Sequence, residues 1–233
     1  MADGRVATGM ARQLAERRAL LSAGARHLGW KAGFASKAAM DRFGTRSPLF
    51  GFLTDQSLLA SGATVSIAGW MRAVFEPEIA VHFGSNLKAG AGEAAVRKAI
   101  SGLGPAIELA DVDPDVVDVE RILAGDIFHR YVVLGPVDRG RAGGSAADIE
   151  TRVFRDGEEV ARATDPMANP GEMIWILQEL AATLEASGEA LRAGDVVIAG
   201  SLVPPIQVAP GQMLRARIGA LGEVEVRFEE VTA

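Results

Sequence analysis

The sequence predicts one α+β domain, and three observations predict it. An amphipathic helix opens the chain, short apolar runs broken by glycine fill its middle, and a strongly patterned helix precedes a strand-rich tail. The 233 residues, 48% hydrophobic, suffice for a buried core in one sizeable domain or two small ones. No repeat, low-complexity tract or long linker divides them. The breaks at Asp138 to Ser145 and Ala168 to Gly171 are too short to demand a boundary. One domain over residues 1–233, with a helical lead-in over about residues 1–28, is therefore expected.

The elements follow in order. Val6, Met10, Leu14 and Leu21 recur at helical spacing, with Arg12, Arg17 and Arg18 between them. Those arginines exclude a secretory h-region, and Asp3 and Glu16 weigh against a transit peptide. Phe75 to Phe83 reads as a strand, Ala91 to Leu103 as a helix, and Ala106 to Leu109 and Tyr131 to Leu134 as strands. Alternation on either side of Asp156-Gly157 predicts a hairpin over Ile149 to Thr164 with a type I′ turn. The next helix has Asn169 as N-cap, Pro170 at N1 and Glu172 at N3, a capping box. Met173, Ile176, Leu177, Leu180 and Leu184 make its apolar stripe, and Gly188 its stop. Strands return from Val196 to Phe228, two of them joined through Gly219 to Gly222.

Composition narrows the chemistry. With no cysteine, disulfides, thiolate nucleophiles, iron–sulfur clusters and Cys-ligated zinc are excluded. Only His27, His82 and His129 are present, so metal chemistry must lean on carboxylate oxygen. A net charge of −6 argues against general nucleic-acid affinity. No run approaches the roughly 18 apolar residues of a membrane span. A cytoplasmic location and no membrane or nucleic-acid partner are expected. Neither a P-loop, a Gly-x-Gly-x-x-Gly nor a Gly-x-Ser-x-Gly elbow is present.

Three places carry candidate chemistry. In Phe75-Glu76-Pro77-Glu78-Ile79, two carboxylates at i and i+2 of a strand face one way, their Cβ atoms about 6–7 Å apart. Pro77 assigns the segment to a sheet edge or a strand start. Either this is a solvated acidic face or, being set among apolar residues, it compensates its charge with a cation. Glu108, in the short run Pro105 to Asp111, can return to the same place through strand–helix–strand geometry, or lie at the surface beside Asp111. Three such carboxylates suit a hard ion, Mg²⁺ or Mn²⁺. Lys31, between glycines and aromatics, is either a proton-transfer group or an exposed edge lysine. His82 shares the face of Glu76 and Glu78, as a metal neighbour or a satisfied core residue.

These segments in this order resemble the 2-keto-4-pentenoate hydratase and 4-oxalocrotonate decarboxylase branch of the fumarylacetoacetate hydrolase superfamily. The matching stretches are Gly29 to Ser36, Phe75 to Ala80, Pro105 to Glu108, Ala168 to Pro170 with Trp175, Leu191 to Ser201, Pro210-Gly211 and Leu221 to Phe228. The resemblance covers nearly the whole chain. It implies an α+β fold with a mixed, rolled, barrel-like sheet and flanking helices. It implies Glu76, Glu78 and Glu108 as ligands of Mg²⁺ or Mn²⁺, Lys31 as the active-site lysine and Asp55 as an acid near the substrate. Ser36, Phe128, His129 and Ser201 fall at substrate-contact positions. The implied reaction is addition of water to a 2-hydroxy-2,4-dienoate, or its 2-oxo-4-enoate tautomer, from aromatic meta-cleavage, giving a 4-hydroxy-2-oxo acid. The implied assembly is a homo-oligomer or a complex with another enzyme of the same pathway.

The chain departs from the family pattern where Gly125-Asp126-Ile127-Phe128-His129 replaces a typical Asp-Asn-Ala-Ser, and where Leu202-Val203-Pro204-Pro205 replaces a Thr-Gly. The first departure leaves two alternatives open. One is decarboxylation of a 2-oxo diacid or acylpyruvate cleavage on the same metal, for which Arg130 is the cation to examine. The other is a non-catalytic partner subunit.

Overall fold

The computed structural model describes residues 3–146 and 148–230. In chain order the first strands are β1 (His27–Gly33), β2 (Leu49–Thr54), β3 (Leu58–Leu59), β4 (Thr64–Val65), β5 (Ala73–Phe83), β6 (Ile100–Asp111) and β7 (His129–Leu134). The later ones are β8 (Thr151–Arg155), β9 (Glu158–Ala163), β10 (Val196–Ile198), β11 (Ile206–Gln207), β12 (Met213–Ile218) and β13 (Gly222–Phe228). The helices are α1 (Gly4–Ser22), α2 (Lys37–Phe43), α3 (Glu93–Ala99), α4 (Val119–Ala124) and α5 (Met173–Ala186). One sheet runs β2-β1-β10-β5-β6-β7-β3, with β11 also on β5; the other runs β4-β13-β12-β8-β9. This is the α+β class with a mixed, half-barrel sheet that the sequence predicts.

The large sheet has two unlike faces, and pairing register shows which residues share each. Lys31 pairs with Ile198, Ile198 with Ala80 and Ala80 with Gly104, while Glu76 pairs with Glu108 and Glu108 with Val132. All therefore project to one side. That side also carries Gly51, Leu53, Ala106 and Val196, and Leu53, Val132, Val196 and Ile198 pack there as a second, smaller apolar cluster. The alternate residues, among them Trp30, Phe50, Phe75, Ile79, Leu103, Ile107, Leu109 and Val133, join the main core. Strand periodicity of two thus separates an apolar outer face from a concave face that admits charge.

Several expectations change. The apolar spacing of Ala91 to Leu103 hides a junction: α3 ends at Ala99 and β6 begins at Ile100. β5 lies inside the sheet rather than at its edge. Pro77 is tolerated because β10 and β11 pair opposite ends of β5 and leave a gap, where the Pro77 carbonyl accepts from the Leu202 N–H at 2.8 Å. Asn169 does not cap α5, which starts at Met173 after Glu172, without a side-chain cap. Its amide instead donates to the Ser201 and Val203 carbonyls at 2.7 and 3.2 Å, tying the two segments that flank the site. The helices α2 and α4 have seven and six residues and no recurring apolar stripe long enough to read. The hairpin forms as predicted, with φ of 52° at Asp156 and 92° at Gly157, and Gly188 ends α5 at φ 77°.

Among the described residues no helix is long and apolar enough to cross a membrane. Helix α5 closes the core with Leu177, Leu180 and Leu184 fully buried. Leu180→Ala is expected to cost about 2–5 kcal/mol. Ala182→Ser, on the exposed side, should stay within about 0.5 kcal/mol. Urea denaturation of the two variants checks both values.

Candidate active site and metal centre

Glu76 on β5 and Glu108 on β6 are direct cross-strand partners, and Glu78 follows two residues along β5 on the same face. The three offer carboxylate oxygens that lie within 4.8 Å of one another. Lys31 reaches this cluster from β1, where its Nζ donates to Glu108 Oε1 and, at 3.1 Å, to the Ile127 carbonyl. The strand carrying it is anchored next door by Trp30, whose Nε1 donates to Asp195 at 3.2 Å and whose ring lies under the Arg17 guanidinium.

Glu78 Oε2 accepts from the Gly200 N–H at 2.7 Å. Its Oε1 is buried and has no hydrogen-bond partner among the described residues. A bare carboxylate oxygen in such a place is costly unless a proton or a cation meets it. With only oxygen donors in the cluster, the residues fit a hard divalent ion such as Mg²⁺ or Mn²⁺.

The electrostatics divide the acids. Burial, with the nearby Glu108 charge, pushes Glu76 up to about 7 and Glu78 well above the usual carboxylate range. Burial acts on Glu108 too, but Lys31 and then His129 outweigh it and hold this carboxylate low. Lys31 is desolvated, yet Glu108 and Asp126 keep its ammonium charged and its pKa above the ordinary value. The metal-free site is thus one ion pair beside two carboxyls that retain protons readily.

Glu76 and Glu108 floor a cavity of about 600 Å³, while Glu78 is fully buried and not among its lining residues. Ser36, Ser201 and Phe128 line it with Lys31, Glu76 and Glu108. Ser36 Oγ caps α2 by accepting from the Ala39 N–H at 3.2 Å, and Ser201 Oγ donates to the Val203 carbonyl at 2.7 Å. His129 stands behind the floor: Nδ1 is 2.8 Å from Glu108 Oε1 and Nε2 3.0 Å from Ser57 Oγ, and its ring faces a second cavity of about 610 Å³. Burial holds His129 below the usual histidine range. His82, further along β5, is not among the residues lining the first cavity; its buried Nε2 has no partner among the described residues, and burial and then Arg139 hold it low.

Asp55, expected near the substrate, is placed elsewhere. Its carboxylate binds the Arg26 backbone N–H and Nε, each at 2.8 Å, and it does not line the cavity. Arg130 also points away, toward the second cavity, where it pairs with Asp111 at 2.8 Å.

A second acid packs near Lys31 besides Glu108: Asp126, which sequence reasoning passed over. A Cβ on Gly51 would stand 2.5 Å from Asp126 Oδ1 and 2.9 Å from Lys31 Cγ, so both side chains lie over that glycine. Asp126 Oδ1 accepts from the Phe52 N–H at 2.9 Å, and burial pushes its pKa well up. Asp126, Ile127 and Phe128 occupy successive left-handed conformations, with φ of 49°, 52° and 63°. Such strain survives only where the surroundings impose it. Here the imposed turn aims the Ile127 carbonyl at Lys31.

The pattern of the fumarylacetoacetate (FAA) hydrolase C-terminal family matches residues 23–229. The chain belongs to the FAA hydrolase family. It is 28% identical over 217 residues to a 2-hydroxyhexa-2,4-dienoate hydratase of Comamonas testosteroni, covering 90% of this chain and 81% of the relative. It is 27% identical over 209 residues to a 4-oxalocrotonate decarboxylase of a Pseudomonas species, covering 86% and 78%. Among solved FAA hydrolase folds, the 4-oxalocrotonate decarboxylase from Pseudomonas putida G7, complexed with magnesium and adipate, superposes with a TM-score of 0.86 at 25% identity, over 94% of this chain and 84% of that one. A fumarylpyruvate hydrolase from Pseudomonas aeruginosa shares the fold, with a TM-score of 0.69 at 18% identity over 88% and 90% of the two chains. As a member of this family, the chain is an enzyme.

Two predictions follow from the charge and packing of the site. Glu76 ionises near 7 in the fold against an ordinary 4.5, so its protonated form favours the metal-free fold at low pH. That contribution fades as pH rises from about 4.5 to about 7, the window in which a divalent ion takes over from the proton. Added Mg²⁺ should therefore raise Tm more at about pH 8 than at about pH 5.5; an equal rise at both would contradict it. Gly51→Ala, which drives a methyl into Asp126 and Lys31, should weaken Mn²⁺ binding or turnover by roughly tenfold. Calorimetry reports the binding, and circular dichroism checks that the fold persists.

Proposed function

We propose that this enzyme is a divalent-metal-dependent hydro-lyase that adds water to a 2-hydroxy-2,4-dienoate or 2-oxo-4-enoate, giving a 4-hydroxy-2-oxo acid. The observation that carries the reading is the convergence of Glu76, Glu78 and Glu108 within 4.8 Å on a concave face that Lys31 shares. In this reading the three glutamates hold Mg²⁺ or Mn²⁺, and Ser36, Ser201 and Phe128 border the substrate. When bound, the ion supplies Lewis acidity and a template for the oxygens of a 2-oxo acid.

The chain's own residues do the rest. Two of the three Lys31 N–H groups are engaged, by Glu108 and by the Ile127 carbonyl, and Lys31 also borders the cavity. In this reading the remaining N–H is the one left for substrate. Its positive charge would stabilise negative charge developing on the C2 oxygen, and its proton is the one this scheme transfers to or from carbon. His129 and the Ile127 carbonyl fix Glu108 and Lys31 from behind, so neither needs to reorganise during turnover. Phe34, Phe43 and Phe128 give the cavity apolar walls. Asp55 has no part in this scheme.

A second reading is favoured by one observation, the close superposition on a decarboxylase at 25% identity. The same site can stabilise the enolate left when a vinylogous 2-oxo diacid loses CO₂. Purified protein with Mg²⁺ and fresh 2-hydroxypenta-2,4-dienoate, or its longer homologues, should remove ultraviolet absorbance, and EDTA should abolish the change. Glu78→Gln and Lys31→Met are each expected to lower kcat/KM by about a hundredfold or more. Coupled CO₂ detection separates decarboxylation from hydration. No metal-dependent loss across several chain lengths overturns the hydratase reading.

A further inference from the structure

We infer that Gln13 is a positioning residue for Lys31. Its side-chain amide clamps the edge of β2 to the end of α4, and so holds the turn that aims the Ile127 carbonyl at that lysine. The inference rests on the proposed role of Lys31 in proton transfer, and it gives α1 a part in that role.

Helix α1 precedes the matched family pattern, which begins at residue 23. It crosses α4 at Gly9, where a Cβ would stand 2.7 Å from Leu123 Cβ and 3.0 Å from the Glu120 carbonyl oxygen. No side chain fits there, so the two helices meet at backbone distance. Arg12 pairs with Glu120 at 2.7 Å on the solvent side of the crossing. Gln13, one turn after Gly9, shares its inward face. It is fully buried, and its Nε2 donates to the Phe50 carbonyl at 3.1 Å and to the Leu123 carbonyl at 2.8 Å.

Those two carbonyls belong to the segments that support Lys31. Strand β2 is the first of its sheet, and among the described residues no strand pairs its outer edge. Gln13 meets that edge at Phe50, and Asp126 meets it two residues on, accepting from the Phe52 N–H at 2.9 Å. Between them is Gly51, which pairs with Lys31 and lies beneath the Lys31 and Asp126 side chains. Leu123 sits in the last turn of α4, three residues before Asp126. One amide therefore ties the strand beside Lys31 to the helix that leads into the turn.

The residue is an expensive choice for packing alone. Gln13 Oε1 is buried and has no hydrogen-bond partner among the described residues. An unmet amide oxygen is destabilising, and an apolar side chain of similar size avoids that penalty. What an apolar side chain lacks is the pair of donors that fixes α4 against β2. Asp126, Ile127 and Phe128 keep their left-handed conformations only where neighbours impose them, and Gln13 holds the chain just before they begin.

The test compares Gln13→Met, which keeps the length and loses both donors, with Leu180→Ala, a core variant in α5 outside the clamp. Each is read by amide hydrogen exchange of the metal-free protein and by kinetics with Mg²⁺ and 2-hydroxypenta-2,4-dienoate. In Gln13→Met the amides of residues 125–129 and of Phe52 should exchange about tenfold faster than in the wild type. Its kcat should fall about tenfold, while KM and the Mn²⁺ dissociation constant stay within about twofold, because the three glutamates lie on β5 and β6. Gln13→Asn, which keeps the donors and shortens their reach, should show the same pattern to a lesser degree. Leu180→Ala should lower Tm at least as far, yet leave kcat and those amides within about twofold. Unchanged exchange at 125–129 in Gln13→Met, or an equal kcat loss in Leu180→Ala, overturns the positioning role. If the wild type shows no metal-dependent turnover, the hydro-lyase reading fails, and the exchange measurement alone decides the clamp.

Discussion

Three carboxylates set against one lysine inside a curled sheet need two more positive charges than the protein supplies. Lys31 neutralises Glu108, and nothing comparable reaches Glu76 and Glu78. The rest of the inner face is arranged around that shortage. Gly51, Gly104, Ala80 and Ala106 leave room on it beside a small apolar cluster of Leu53, Val132, Val196 and Ile198. The Gly200 N–H satisfies one oxygen of Glu78 and leaves the other facing the cluster. The interruption between β10 and β11, which Pro77 permits, delivers Gly200 and Ser201 to the rim of the site. Local sequence choices that look unrelated therefore serve one electrostatic requirement.

Much of this was legible in the chain itself. Alternation placed Glu76 and Glu78 on one face, and the short apolar run around Glu108 suggested a returning strand. Cross-strand register between Glu76 and Glu108 was not legible, because it depends on where β6 begins. That start lies hidden in the apolar spacing of Ala91 to Leu103, where a helix hands over to a strand without a glycine or proline to mark it. Asn169 and Pro170 carry a strong helix-start signal, yet tertiary demand for the Asn169 amide at Ser201 and Val203 overrides it. Lys31 and Glu108 are buried, which removes the exposed-lysine and surface-acid alternatives.

The acidic partner near Lys31 illustrates a different limit. Asp55 had the more familiar sequence context, but its loop is secured to Arg26 by two hydrogen bonds and faces away. Asp126 occupies a stretch whose conformation no propensity scale favours, since β-branched Ile127 sits at φ 52°. Such a conformation is imposed by long-range contacts, here Phe52, Lys31 and the hollow over Gly33, where a Cβ would lie 2.9 Å from Ile127 Cγ2. Local reading of residues 125–130 identifies a departure from pattern but not its shape.

That strained stretch is also a partition. Phe128 borders both large cavities, one floored by the glutamate cluster and the other opening past His129 and Arg130. A side chain shared by two cavities shapes both. Trimming Phe128 to admit bulkier substrates would therefore breach the reaction chamber as well as widen it, joining it to a polar basin of similar volume. In the proposed hydration water is itself a reactant, so the residue that separates a polar basin from the glutamate cluster stands on the side from which water would be drawn.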